Sequence, residues 1–177
     1  MARLLVVTSV PAETDAIGSH DGVTVVTGGI GRTNAAATTT ESILKHGPFA
    51  AVINAGVAGV LPGGKLALGD FEGNPVPVDD RLLSRLAGLF RTGPIATVAT
   101  CSGTDAAAES VARRTGAVAE AMEGAAVVHA ARRLGVPAIE LRVISNTTGD
   151  REDQEWDLAG ALVVLGRSVG DALAALR

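Results

Sequence analysis

Short runs of β-branched and other apolar residues alternate along the chain with longer stretches in which alanine and leucine recur at helical spacing. The runs Leu4–Thr8, Val23–Thr27, Ala50–Asn54, Leu66–Phe71, Ile95–Thr100, Val118–Ala119 and Ala138–Ile144 predict strands. Leu4–Thr8 has no polar alternation, the pattern of a strand buried on both faces of a covered sheet. The stretches Thr33–Lys45, Asp80–Leu89, Asp105–Arg114, Met122–Leu134 and Asp157–Leu176 predict helices. Asp79 or Asp80 is suited to cap the second of these, because a carboxylate accepts from the free N–H groups of a first turn. Gly116 is suited to end the third. Strands alternating with helices make a three-layer α/β domain around a mostly parallel sheet. No repeat or linker divides the chain, so residues 1–177 read as one domain. The segment "LPGGKLALGDFEGNPVPVDD" is rich in turn formers and reads as loop around the Leu66–Phe71 strand.

Composition narrows the function. A chain of 177 residues buries roughly 70% of its unfolded surface, enough to fold without a disulfide or metal. Cys101 is the sole cysteine, and His20, His46 and His129 lie far apart, so no metal site is expected and no cofactor is called for. A net charge of −4 and 2% aromatics lack the basic, stacking surface that nucleic acids require. The apolar run after Arg3 is too short for a secretory signal, and no stretch is expected to span a membrane. The expected setting is cytoplasmic, with a small molecule or a second copy of the chain as partner. Asn146-Thr147-Thr148 fits a glycosylation sequon, which carries no weight without a secretory signal.

In open α/β sheets, ligands bind at the carboxyl ends of the strands. Six segments follow predicted strands there: "SVPAE", "GGIGR", "NAGVAG", "CSGTD", "EAMEGA" and "SNTTGD". They describe a pocket lined largely by backbone, with few polar side chains. Glu13 follows Pro11 in a first helical turn; it reads either as a helix-dipole partner or as a general base. Glu123 begins a helix of small residues; it too suits the dipole, or can accept both hydroxyls of a vicinal diol such as a ribose. Glu120 reads as a cap or surface charge. "TGGIGRTNA" has part of a dinucleotide-binding fingerprint, but Asn34 stands where the third glycine belongs and Asn54 where the ribose acid belongs. Cys101 reads as a small buried thiol rather than a nucleophile.

Taken together, "VPAE", "GGIGR", "NAGVAG", and "MEGAA" followed by "RVISN" resemble the nucleoside phosphorylase/nucleosidase family in order and spacing. The resemblance implies a three-layer αβα phosphorylase/hydrolase-like fold with a mixed, mostly parallel central sheet. It also implies cleavage of an N-glycosidic bond through a sugar with oxocarbenium character. By that resemblance Glu13 activates the attacking water, Glu123 holds the ribose hydroxyls, and Met122 packs against the sugar. Ala55, Gly56 and Val57 line the substrate site, and Asn146 meets the purine near N7. Family members are commonly homodimers or larger.

At the position of Asn146, adenine-releasing relatives carry aspartate. An amide offers two N–H donors, which suit N7 and a 6-oxo group together. A 6-oxopurine such as hypoxanthine therefore fits better than adenine. Phosphorylases carry arginines in the loops that here read "SVPAET" and "INAGVAG". A phosphate dianion needs several charge-assisted donors, so water is the expected nucleophile and phosphorolysis the alternative. Compared with the family the chain is shortened near 70–78, and no aromatic follows "SG" to stack on a base. A binding protein without catalysis is therefore a further alternative.

Overall fold

The computed structural model describes residues 3–62 and 75–177. Among these, the order is β1 (Leu4–Thr8), α1 (Pro11–Ile17), β2 (Val23–Thr27), α2 (Arg32–His46), β3 (Ala51–Val60), α3 (Asp80–Leu86), β4 (Ile95–Thr97), α4 (Asp105–Thr115), β5 (Ala119–Ala121), α5 (Gly124–Arg133), β6 (Ala138–Thr147) and α6 (Leu158–Leu176). The sheet runs β2-β1-β3-β5-β4, with β6 added to β3. Every pairing is parallel except β3 with β5.

Helices cover both faces, as the doubly buried pattern of β1 requires. On one face Leu4, Val6, Ile53, Ala55 and Leu141 pack against Ile17 of α1, Leu82 and Leu86 of α3, and Leu165, Val169 and Leu173 of α6. On the other, Leu5, Val7, Val52 and Ala138 meet Ala35 of α2 and Val127, Val128 and Ala131 of α5. Fully burying a leucine or valine contributes about 1.5–3 kcal/mol, so the two layers together hold the sheet. Asp79 is the cap of α3, accepting from the N–H groups of Arg81 and Leu82 at 3.0 and 3.1 Å.

The strand ends differ from the sequence reading in ways that matter. β3 does not stop at Asn54; it runs through "NAGVAG" to Val60 because β6 pairs with it from Val52 to Val60 and satisfies its backbone. β6 likewise continues past Ile144 to Thr147. β4 ends at Thr97, α3 ends at Leu86, and α5 begins at Gly124 rather than Met122. The expected strand Leu66–Phe71 lies outside the described residues. One further expectation fails: α6 is long and apolar enough, by length and composition, to cross a membrane. In the fold its apolar stripe lies against the sheet and α1, and it carries Arg167 and Asp171.

Candidate active site

β3 is long enough to use one edge twice. β1 pairs with it over Ala51–Asn54, and β5 takes over at Gly59–Val60. Between the two, the N–H of Val57 donates to Oε1 of Glu13 at 2.9 Å. The other oxygen of Glu13 accepts from the N–H groups of Ser9 and Val10 at 2.8 and 3.2 Å. Pro11 and this carboxylate set the first turn of α1, and the turn carries Glu13 to the gap where β1 leaves β3. Glu13 is 3% exposed. The first-turn position that suits the helix dipole and the buried place at the strand gap thus belong to the same side chain.

Glu123 comes from the other side, at the start of α5. It accepts from the N–H of Gly31 at 2.9 Å, so the glycine turn before α2 offers its backbone to this carboxylate. The second oxygen faces Nη2 of Arg142 at 3.6 Å. Arg142, on β6, was missed in the sequence because it sits inside an apolar strand and reads as an exposed alternation. Its side chain is only 2% exposed. Nε donates to Glu140 at 2.8 Å, and Nη2 donates to Oδ1 of Asn54, whose own amide donates to the carbonyl of Val7 at 2.9 Å. The one detectable signal was spacing: Glu140 and Arg142 lie two residues apart, on one face of a strand.

Gly56 joins these groups. A Cβ there would lie 2.6 Å from Oε1 of Glu13 and closer still to Nη1 of Arg142. Both charged groups therefore close over the same bare backbone. Ala55 is fully buried and its side chain belongs to the α6 layer, so only its backbone faces this region. Met122 is partly buried beside Glu123. A cleft bordered by Arg32, Val60, Thr97, Ala125, Glu140 and Arg142 opens next to these groups. Glu123 and Glu140 flank the guanidinium of Arg142, and Glu13 meets it over Gly56, so three carboxylates gather around one cation. Such a site favours a cationic ligand or transition state and opposes a phosphate dianion.

Asn146 closes the row. It pairs with Gly59 on β3, and its amide donates to the carbonyl of Thr147 at 2.7 Å while Ser145 Oγ donates to its Oδ1 at 2.9 Å. One of its two N–H donors is thus engaged locally. Two expectations are corrected here. Glu120 is not a surface charge; it is 1% exposed and accepts from N and Oγ of Ser102 at 2.6 and 2.7 Å. Cys101 is exposed rather than buried. Its thiol is pushed up from the usual range by partial desolvation first, then by the charges of Glu120 and Glu123, with Arg151 offsetting part of this. Such a thiol is a poor nucleophile at neutral pH. The hydroxyl of Ser9, beside Glu13, is buried without a hydrogen-bond partner. No group of metal-binding side chains occurs among the described residues.

Known proteins share this architecture. The structure superposes on a Helicobacter pylori 5'-methylthioadenosine/S-adenosylhomocysteine nucleosidase mutant holding 5'-methylthioadenosine, with a TM-score of 0.82 at 18% identity, covering 98% of this chain and 99% of that one. It also superposes on the native futalosine hydrolase of Helicobacter pylori, with a TM-score of 0.78 at 19% identity, covering 99% and 97% of the two chains. In sequence, the chain is 52% identical over 94 residues to the futalosine hydrolase of Acidothermus cellulolyticus, covering 52% of this chain and 37% of that protein. It is 41% identical over 112 residues to the futalosine hydrolase of Thermus thermophilus, covering 62% of this chain and 50% of that protein. The chain thus spans half or less of the length of these curated relatives. The phosphorylase superfamily is matched over residues 73–176. With more than half its length inside that match, and with the sheet and helices of the nucleosidases around its buried carboxylates, this chain belongs to the phosphorylase superfamily.

Proposed function

We propose that the chain is a purine nucleosidase that hydrolyses the N-glycosidic bond of futalosine and releases hypoxanthine. The observation that carries this reading is the convergence of two buried carboxylates on the paired strands that lead to Asn146: Glu13, from α1, is tied to β3 through Val57, and Glu123, from α5, faces Arg142 of β6. The identity of 41–52% to curated futalosine hydrolases supports the same substrate.

In this reading Glu13 removes a proton from the attacking water. Its three backbone donors keep the carboxylate aimed at the gap between β1 and β5. Glu123 accepts the ribose hydroxyls, and Arg142 and Gly31 hold it in place. Met122 packs against the sugar, and the backbone of Ala55, Gly56 and Val57 forms the floor beneath it. The excess of buried carboxylates stabilises positive charge as the sugar becomes an oxocarbenium ion. Asn146 donates to the purine: one N–H stands free, and the second becomes free when the amide turns from Thr147. Donation to developing charge on N7 assists departure without full protonation. Water is the nucleophile because the same carboxylates repel phosphate, and phosphorolysis is the alternative. The reading brings with it a single nucleosidase domain shortened near 70–78, a place in menaquinone biosynthesis, a cytoplasmic setting and a homodimer or larger homo-oligomer.

The test is base release, followed by chromatography, from futalosine, inosine and methylthioadenosine, each with and without phosphate. Hypoxanthine from futalosine alone, independent of phosphate, is expected. In Glu13→Gln, kcat falls at least about a hundredfold while hypoxanthine still binds. Phosphate-dependent release would establish the phosphorylase, and full activity in Glu13→Gln would remove its role as base.

A further inference from the structure

We propose that Glu120 is a positioning residue for base recognition, acting through Ser102 and Gln154 on the segment that carries Asn146. The inference rests on the nucleosidase reading, and it concerns a residue with no assigned place in that chemistry. Asn146, Gly59 and Glu120 form one row across β6, β3 and β5. Two interstrand spacings separate the outer pair, about 10 Å. Between them Gly59 has no side chain to interpose. A Cβ there would lie 2.7 Å from Cγ2 of Thr148 and 3.1 Å from Nδ2 of Asn146. The amide therefore reaches inward over the glycine.

Glu120 spends both carboxylate oxygens on a single residue, the N–H and hydroxyl of Ser102. No ion pair among the described residues includes it. Burying a carboxylate without a cation is costly unless its hydrogen bonds are complete, so this tether is rigid. From Ser102 the connection continues outward. Its carbonyl accepts from Nε2 of Gln154 at 3.1 Å, and the same amide donates to the carbonyl of Gly149 at 2.9 Å. Oε1 of Gln154 accepts from the indole N–H of Trp156 at 3.2 Å, and Trp156 bridges back to Asn146. Asp105 and Asp150 reinforce the clasp by accepting each other's backbone N–H at 3.0 and 3.1 Å. The segments 99–105 and 147–157 are thus held as a pair, and Glu120 anchors the pair to β5. Their separation sets the slot in which Asn146 meets a base.

Glu120→Gln keeps an acceptor for the Ser102 N–H, but its amide reaches Oγ only as a donor to a turned hydroxyl, so a charge-assisted tether becomes a weaker neutral one. Hypoxanthine dissociation and KM for futalosine each rise about tenfold, and kcat changes less than about threefold. The preference for hypoxanthine over adenine narrows as well. Gln154→Ala, at a partly exposed site, gives the same KM-selective change in smaller measure, and it decides the matter if Glu120→Gln does not fold. Wild-type binding and turnover with both variants unchanged in hypoxanthine affinity, KM and base preference would overturn the inference alone. A loss confined to kcat or to thermal stability would overturn it too. A wild-type chain that neither binds hypoxanthine nor cleaves futalosine would overturn the functional reading, and this one with it.

Discussion

Replacing Gly56 by alanine is the sharpest single perturbation the site offers. The new methyl group would lie 2.6 Å from Oε1 of Glu13 and nearer still to Nη1 of Arg142. Both neighbours are fixed. Glu13 is held by the N–H groups of Val57, Ser9 and Val10, and Arg142 by Glu140 and Asn54. Clearing the methyl group means lengthening one or two hydrogen bonds to a charged group, each contributing about 1.5–3 kcal/mol. A cost of about 3 kcal/mol follows. For a chain of this length about 1 kcal/mol moves Tm by about 2–4 °C, so Tm falls by about 6–12 °C. Glu13 also leaves its place over the strand gap, and about 3 kcal/mol of lost transition-state stabilisation lowers kcat/KM by more than about a hundredfold. Gly88→Ala is the control, since no heavy atom lies within 4 Å of a Cβ there. Thermal denaturation and hypoxanthine release measure the two effects. A Gly56→Ala chain that melts with the control and turns over like wild type would refute the closure of Glu13 and Arg142 over bare backbone.

The remaining predictions concern neighbouring groups. Ser9→Ala removes a buried hydroxyl that has no partner; Tm is expected to hold or rise by a few degrees, and a clear fall would reveal a bond to that hydroxyl. Cys101 has a raised pKa, so its thiolate fraction at pH 8 is below that of a free thiol; iodoacetamide labelling is expected to be slow there and to accelerate only at higher pH, despite exposure. A Cβ at Gly124 would overlap the carboxylate of Glu140. Gly124→Ala is therefore expected to destabilise by about 2 kcal/mol or more, and Glu140→Ala in the same chain to recover part of that, a coupling above about 1 kcal/mol in a denaturant cycle.

The layered fold was legible because its signals are local. Leu4–Thr8 has nowhere polar to turn, so it must be covered twice, and Pro11 with Glu13 writes the start of α1 into the residues after it. Strand ends were less legible. "NAGVAG" looks like a loop by its glycines, and only the partnership with β6 makes it strand. The expectation that no stretch could span a membrane was not met by composition, since α6 is long and apolar enough, and only its packing gives that apolar stripe a place.

By sequence alone, the chain specified alternating elements, the carboxylates Glu13 and Glu123, and the asparagine at the end of the last strand. These are statements about residue type and near neighbours, which period and turn chemistry encode. Tertiary structure decided everything that depends on distant segments meeting. It buried Arg142 between Glu123 and Glu140, turned Glu120 from an expected surface charge into the anchor of Ser102, exposed Cys101, and set Glu13 against Val57 across 44 positions. The physical reason is that burial and charge pairing belong to the space around a side chain, and strand order, not sequence distance, determines what fills that space.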